Sequence, residues 1–169
     1  AAGVLGFAQK VASGGIDNAL REYHREDLIG KSSEVVWTEL LHEFTNSGAS
    51  VEDNMAADAL SQAMENLEIE DIADIGNVSV DILLKEMLKE YIKENFDFRY
   101  EEKISKGKTP AQTSAILNDM HEYIENSIDG DLNLDNLKSV DFSNMGTSQI
   151  VEDALSDALS VFEKYYGED

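Results

Sequence analysis

Between Ser79 and Lys106 neither proline nor glycine interrupts a run whose apolar residues recur at three- and four-residue spacings. Val80, Leu83, Leu84, Met87, Leu88, Tyr91 and Phe98 fall on one stripe of an α-helix, and that stripe is expected in the core. Ile92, Phe96, Tyr100 and Ile104 step round to other sides, so the second half needs cover on more than one face. At ~1.5 Å per residue this helix spans about 40 Å, the width of a small domain. A rod of that size leaves the other segments one simple role, which is to pack around it.

Those segments read as helices too. Val4, Leu5, Ala8, Val11 and Ala12 have helical spacing in residues 1–13, where Gly3 and Gly6 permit close backbone approach, and Ser13, Gly14 and Gly15 end the helix. Ile16, Leu20 and Tyr23 mark a short helix over about 17–25. Ser32 or Ser33 opens a third to about Thr45, with Val36, Trp37, Leu40, Leu41 and Phe44 inward. Ser50 and Asp53 open a fourth to about Leu67, followed by an acidic stretch over 68–77 with one turn around Ile69, Ile72 and Ile75. Ser79 is the expected cap of the long helix. Gly107 stops it, and Thr109, Pro110 and Gln112 form a capping box with proline at the first helical position, opening a helix to about Ser127. Residues 129–146 read as a long loop, with Leu132, Leu134, Leu137, Val140 and Phe142 tucked inward. A last helix over about 148–166 carries a broad apolar face, with Glu152, Asp153, Asp157, Glu163 and Lys164 opposite. The fold class is therefore all-α: one domain of six to seven helices around the segment 79–106, over residues 1–169.

The chain has 13 basic and 35 acidic residues, a net charge of −22, and no cysteine. A surface of that sign repels phosphate backbones, which argues against direct nucleic-acid binding. Absence of cysteine excludes disulfides, thiolate metal sites and a cysteine nucleophile, and agrees with a cytoplasmic setting. No apolar run approaches the ~18 residues of a membrane span. Residues 1–50 carry 4 basic and 7 acidic residues, 51–107 carry 6 and 15, and 108–169 carry 3 and 13. The later two-thirds are thus where a basic partner is expected to dock, although like charge also serves plain solubility. The chain opens on Ala1 with no initiator methionine, which suggests a fragment of a longer protein.

Motifs that carry chemistry are sparse. Glu39 and His42 have the Glu-x-x-His spacing of di-metal bundles, but the motif does not recur, and both lie opposite Leu40 and Phe44 on a solvated face. His42-Glu43 and His121-Glu122 begin like zinc-protease helices and lack the second histidine. Asp129, Asp131, Asn133 and Asp135 alternate as oxygen ligands do in calcium loops, yet Asn136 and Phe142 stand where the glycine and the bidentate glutamate belong; these four are the metal candidates, against a plain hydrophilic loop. Arg99 lies among Phe96, Phe98 and Tyr100 with Glu102 and Asn95 nearby, a cation that anchors either a partner or the end of its own helix. No catalytic constellation and no cofactor site emerge, and the expectation is a protein that is not an enzyme.

Four blocks, AAGVLGFAQKVASGG at 1–15, MAADALSQAM at 55–64, NFDFRYEEKI at 95–104 and IVEDALSDALSVFEKYYGE at 150–168, together resemble the QatB family, the helical component of Qat anti-phage defence systems, in order and spacing across nearly the whole chain. The resemblance implies a bacterial cytoplasmic protein working beside an ATPase, a QueC-like enzyme of deazaguanine chemistry and a TatD-like nuclease. It also implies a longer chain, whose flexible amino-terminal segment is what the QueC-like enzyme acts on. The region here would then be a docking and scaffold domain for the QueC-like enzyme or the ATPase, with Arg99, Glu101, Glu102, Tyr165 and Tyr166 as partner-binding candidates. A calcium- or ligand-binding acidic domain and a structural homo-oligomer are the alternatives.

Overall fold

Seven α-helices and two 3-10 turns, with no strand, occur among the residues that the computed structural model describes, which are 4–45, 51–131, 140 and 148–166. The helices are α1 Val4–Gly14, α2 Ile16–Glu22, α3 Ser33–Thr45, α4 Val51–Asn66, α5 Val80–Ser105, α6 Pro110–Asp131 and α7 Gln149–Tyr166; the turns are Glu26–Leu28 and Ile72–Asn77. The all-α expectation holds.

Helix starts follow the residues that can satisfy free backbone amides. The box opening α6 closes in both directions: the Thr109 amide donates to Gln112 Oε1 (3.0 Å) and the Gln112 amide to Thr109 Oγ1 (3.2 Å). Ser32 accepts from the Val35 amide to open α3, and Ser148 from the Val151 amide to open α7. Ser79 sits at the N-cap of α5, but its hydroxyl makes no cap bond, contrary to expectation. Burial holds this helix instead.

The ends of α1, α2, α4 and α5 divide into two kinds. Gly15 and Gly107 adopt φ of 86° and 75° after α1 and α5, as glycine readily does. At α2 and α4 the same left-handed residue is His24 (φ 60°) and Glu68 (φ 57°). Their amides bond to Arg21 O and Glu65 O, and the amides of Arg25 and Ile69 to Leu20 O and Met64 O, a pair of Schellman ends without glycine. That turn ends α2 at Glu22, short of the expected Arg25.

The α5 side chains Leu83, Leu84, Met87, Leu88, Tyr91, Ile92, Phe96 and Ile104 are buried. At about 1.5–3 kcal/mol for each large apolar side chain removed from water, they outweigh helix-propensity differences of under ~1 kcal/mol per residue. Helices α1, α4, α6 and α7 pack against α5. α2 and α3 reach the core mainly through α1, α4 and Ile72–Asn77. α1, with Leu5, Phe7, Ala8 and Val11 fully buried, is a second interior helix, and the small Gly6 is buried with them.

Two further expectations need correction. Phe98 lies on the predicted core stripe but is 64% exposed. α4 runs antiparallel to α5, with Asn66 at Glu90 and Asp58 at Glu94, and Phe98 emerges into the groove left between α4, α5 and α6, where Met55 also lines it. And α6 continues past Ser127 to Asp131, because Ile128 extends the buried stripe of Ile116, Met120 and Ile124. Val140 is buried as expected; the rest of the predicted loop lies outside the described residues.

Candidate functional site

Antiparallel packing of α5 on α6 brings charged residues at a period of four on each helix into register. Lys89 Nζ pairs with Asp129 Oδ1 at 2.6 Å, Lys93 Nζ with Glu125 Oε1 at 2.7 Å, and Asp97 Oδ1 with His121 Nε2 at 2.7 Å. Lys93 also meets Glu90 at 2.8 Å, and Glu90, which is 8% exposed, accepts from Asn66 Nδ2 at 3.0 Å. Burial opposes the charge on Lys93, yet the bonds to Glu125 and Glu90 outweigh it and raise its pKa.

Above this ladder, α4, α5 and α6 enclose a groove of about 830 Å³. Glu86, Glu90, Glu94, Asp97 and Glu101 form its acidic α5 wall, Met55, Gln62 and Asn66 its α4 wall, and Phe98 stands in it. Glu94 is the perturbed group: burial, then its hydrogen bond with Asp58, then the negative charges of Asp58, Asp97 and Glu90 push its pKa up to about 7. The protonated Glu94 carboxyl donates to Asp58 in that contact. Among the described residues the groove is lined by carboxylates, amides, Lys93, His121, Met55 and Phe98, with no hydroxyl side chain.

The family model described as "QatB: Qat anti-phage system associated protein QatB" matches residues 1–162. The chain belongs to the QatB family. It therefore has a role in Qat anti-phage defence. No curated relative and no solved structure matches it.

Within this QatB-family chain the predicted partner-binding residues do not form one patch. Glu101 lines the groove beside Phe98. Glu102 is exposed on the same helix. Arg99 points elsewhere, donating to both carboxylate oxygens of Glu152 on α7, at 3.0 and 2.7 Å. Its partner is thus neither Glu102 nor Asn95, and the polar α7 face opposite the apolar one is engaged: Glu163 pairs with Lys103 at 2.8 Å, and Asp157 accepts from the Tyr123 hydroxyl at 2.6 Å. Tyr165 is 68% exposed with the Lys164 ammonium 5.4 Å from its ring centre, whereas the Tyr166 hydroxyl donates to Asp119 at 2.7 Å.

Of the metal candidates, Asp129 is helical and ion-paired to Lys89, Asp131 ends α6, and Asn133 and Asp135 lie outside the described residues. Among the described residues no group of three or more His, Asp or Glu is arranged to hold a metal ion, and no helix is long and apolar enough to cross a membrane. For the homo-oligomer alternative, Val151, Leu155, Ala158 and Phe162 of α7 are buried within the chain, where α7 packs on α5 and α6. The ladder and the acidic groove were missed from sequence. Their signal was present in the period-four charges at 89, 93 and 97 and at 121, 125 and 129, but the pairing of α5 with α6 had to be known to use it.

Proposed function

We propose that this QatB-family chain is a non-enzymatic, cytoplasmic docking subunit of a Qat system that receives a basic surface of a partner, the QueC-like enzyme or the ATPase. The observation that carries the reading is Phe98, 64% exposed in a groove walled by Glu94, Asp97 and Glu101. An aromatic anchor desolvates well on binding, and surrounding carboxylates select a cationic counterpart and speed encounter. The chain's net charge of −22 adds long-range attraction for such a partner. Docked in this way, the domain would hold the amino-terminal segment of the family near the enzyme that acts on it.

The test is to mix the purified chain with each partner at low and high salt and measure complex mass by light scattering. A complex at low salt that weakens as salt rises supports the reading. No complex under either condition removes it.

A further inference from the structure

A second hollow, of about 940 Å³, lies between the first turn of α3, the end of α4 and residues 68–72. Its apolar lining is Trp37, Met64, Ile69 and Ile72, with Trp37 half-buried and the other three buried. Around that lining stand Glu34, Glu65, Glu68, Glu70 and Asp71, all exposed. None of the five makes an ion pair with a described residue, and no Lys, Arg or His among the described residues lines the hollow. This separates it from the Phe98 groove, where Lys93 pairs with Glu90 and Glu125 and His121 with Asp97, leaving Glu94 and Glu101 without an ion pair among the described residues. The two use different faces of α4: Ser61, Met64 and Glu65 here, Gln62 and Asn66 there.

We propose that this hollow is a second docking site, for a basic amphipathic segment of a partner protein that sets an apolar side chain against Trp37 and Ile69 and Lys or Arg against the carboxylate rim. The occupant follows from complementarity. An apolar floor excludes a purely polar ligand, and five unneutralised carboxylates repel an acidic or phosphorylated one. An indole face is also the best aromatic platform for a passing cation. Glu68 occupies a left-handed position that glycine would take with less strain, yet it keeps a carboxylate at this rim. The proposal rests on the docking reading and adds a site to it.

Trp37 is the chain's single tryptophan, so its emission reports on this hollow directly. The probe is a short helical peptide of leucine and lysine, titrated into the chain in about 0.05 M and about 0.3 M salt. The expected result is a saturable blue shift at low salt, with affinity falling about tenfold or more in a Glu34→Lys/Glu70→Lys variant and on raising salt, and unchanged in Phe98→Ser. Glu68→Gly is expected to weaken the peptide while leaving the fold at least as stable, a combination that a merely structural role does not produce. No shift, or an equal shift with the charge-reversed variant or with a leucine–glutamate peptide, overturns the proposal. A peptide that binds while neither Qat partner does would fail the docking reading alone; partners that bind while Trp37 stays silent would fail this site alone.

Discussion

Arg99 and Glu152 form a two-pronged ion pair, at 3.0 and 2.7 Å, that ties α5 to the first turn of α7. Both side chains remain more than a third exposed, so the pair belongs at the weak end of the scale despite its geometry. Arg99→Ala should cost about 0.5–1 kcal/mol, read as a lower urea midpoint with unchanged slope. The hydrogen bond from Arg99 holds the Glu152 carboxyl below its ordinary 4.5. Its contribution is therefore present above about pH 4.5 and lost as pH falls through the lowered value, where variant and parent should converge.

Lys93 presents a harder case. It stands between Glu90 and Glu125 with its side chain 14% exposed, and Glu90's is 9% exposed. Lys93→Met keeps the apolar stem but leaves the Glu90 charge with only Asn66 beside it. A stranded, largely buried charge costs more than an exposed pair gains, and a loss of about 2–3 kcal/mol is expected in denaturant unfolding. A Glu90→Gln substitution on the same background should recover part of it, because the amide no longer needs the ammonium.

The Glu94–Asp58 contact sets a pH dependence of opposite sign to that of Glu152. Glu94 titrates near 7 in the fold and near its ordinary 4.5 when unfolded. The folded state binds more protons between those values, so this group lowers stability as pH climbs from about 4.5 to about 7, after which the penalty is constant. Glu94→Gln mimics the protonated form. Urea midpoints should show no gain over the parent at pH 4 and a gain that grows to a plateau above pH 7.

The left-handed turn after α2 offers a cleaner backbone test. His24 is exposed and held at φ 60°, where a side chain costs about 1 kcal/mol over glycine. Against the extra unfolded-state freedom of glycine, His24→Gly should still gain about 0.5 kcal/mol in chemical unfolding. Loss of stability would mean that the imidazole makes a contact outweighing the backbone strain.

How far the chain could be read in advance depends on whether a feature is local. The α6 capping box, Gly15 and Gly107 announce themselves within a few residues, and they stand where expected. His24 and Glu68 end helices by a conformation their identities disfavour, so only the backbone reveals it. The helical period placed Leu83 to Ile92 in the core. It could not say that α1 is a second interior helix, nor that Phe98 faces a groove while Phe96 and Ile104 are covered, because both depend on where the neighbouring helices pack. The Arg99–Glu152 and Lys93–Glu125 pairs join residues far apart in the chain, and their partners became legible only once the helices were paired.

Phe98 separates stability from docking. At 64% exposure it contributes little to the interior, so Phe98→Ser should shift the unfolding free energy by no more than about 0.5 kcal/mol. An aromatic anchor in a groove is where binding energy concentrates, and losing one costs about 2 kcal/mol or more, which is about thirtyfold in dissociation constant. Titration of the parent and the variant against the QueC-like enzyme and the ATPase, followed by calorimetry, should therefore give equal melting behaviour and unequal affinity for one of them. Glu101→Lys should act differently, chiefly slowing association and flattening its salt dependence, since a rim charge steers encounter more than it holds the complex. Equal affinity of parent and Phe98→Ser for both partners would mean that the groove is not where docking occurs.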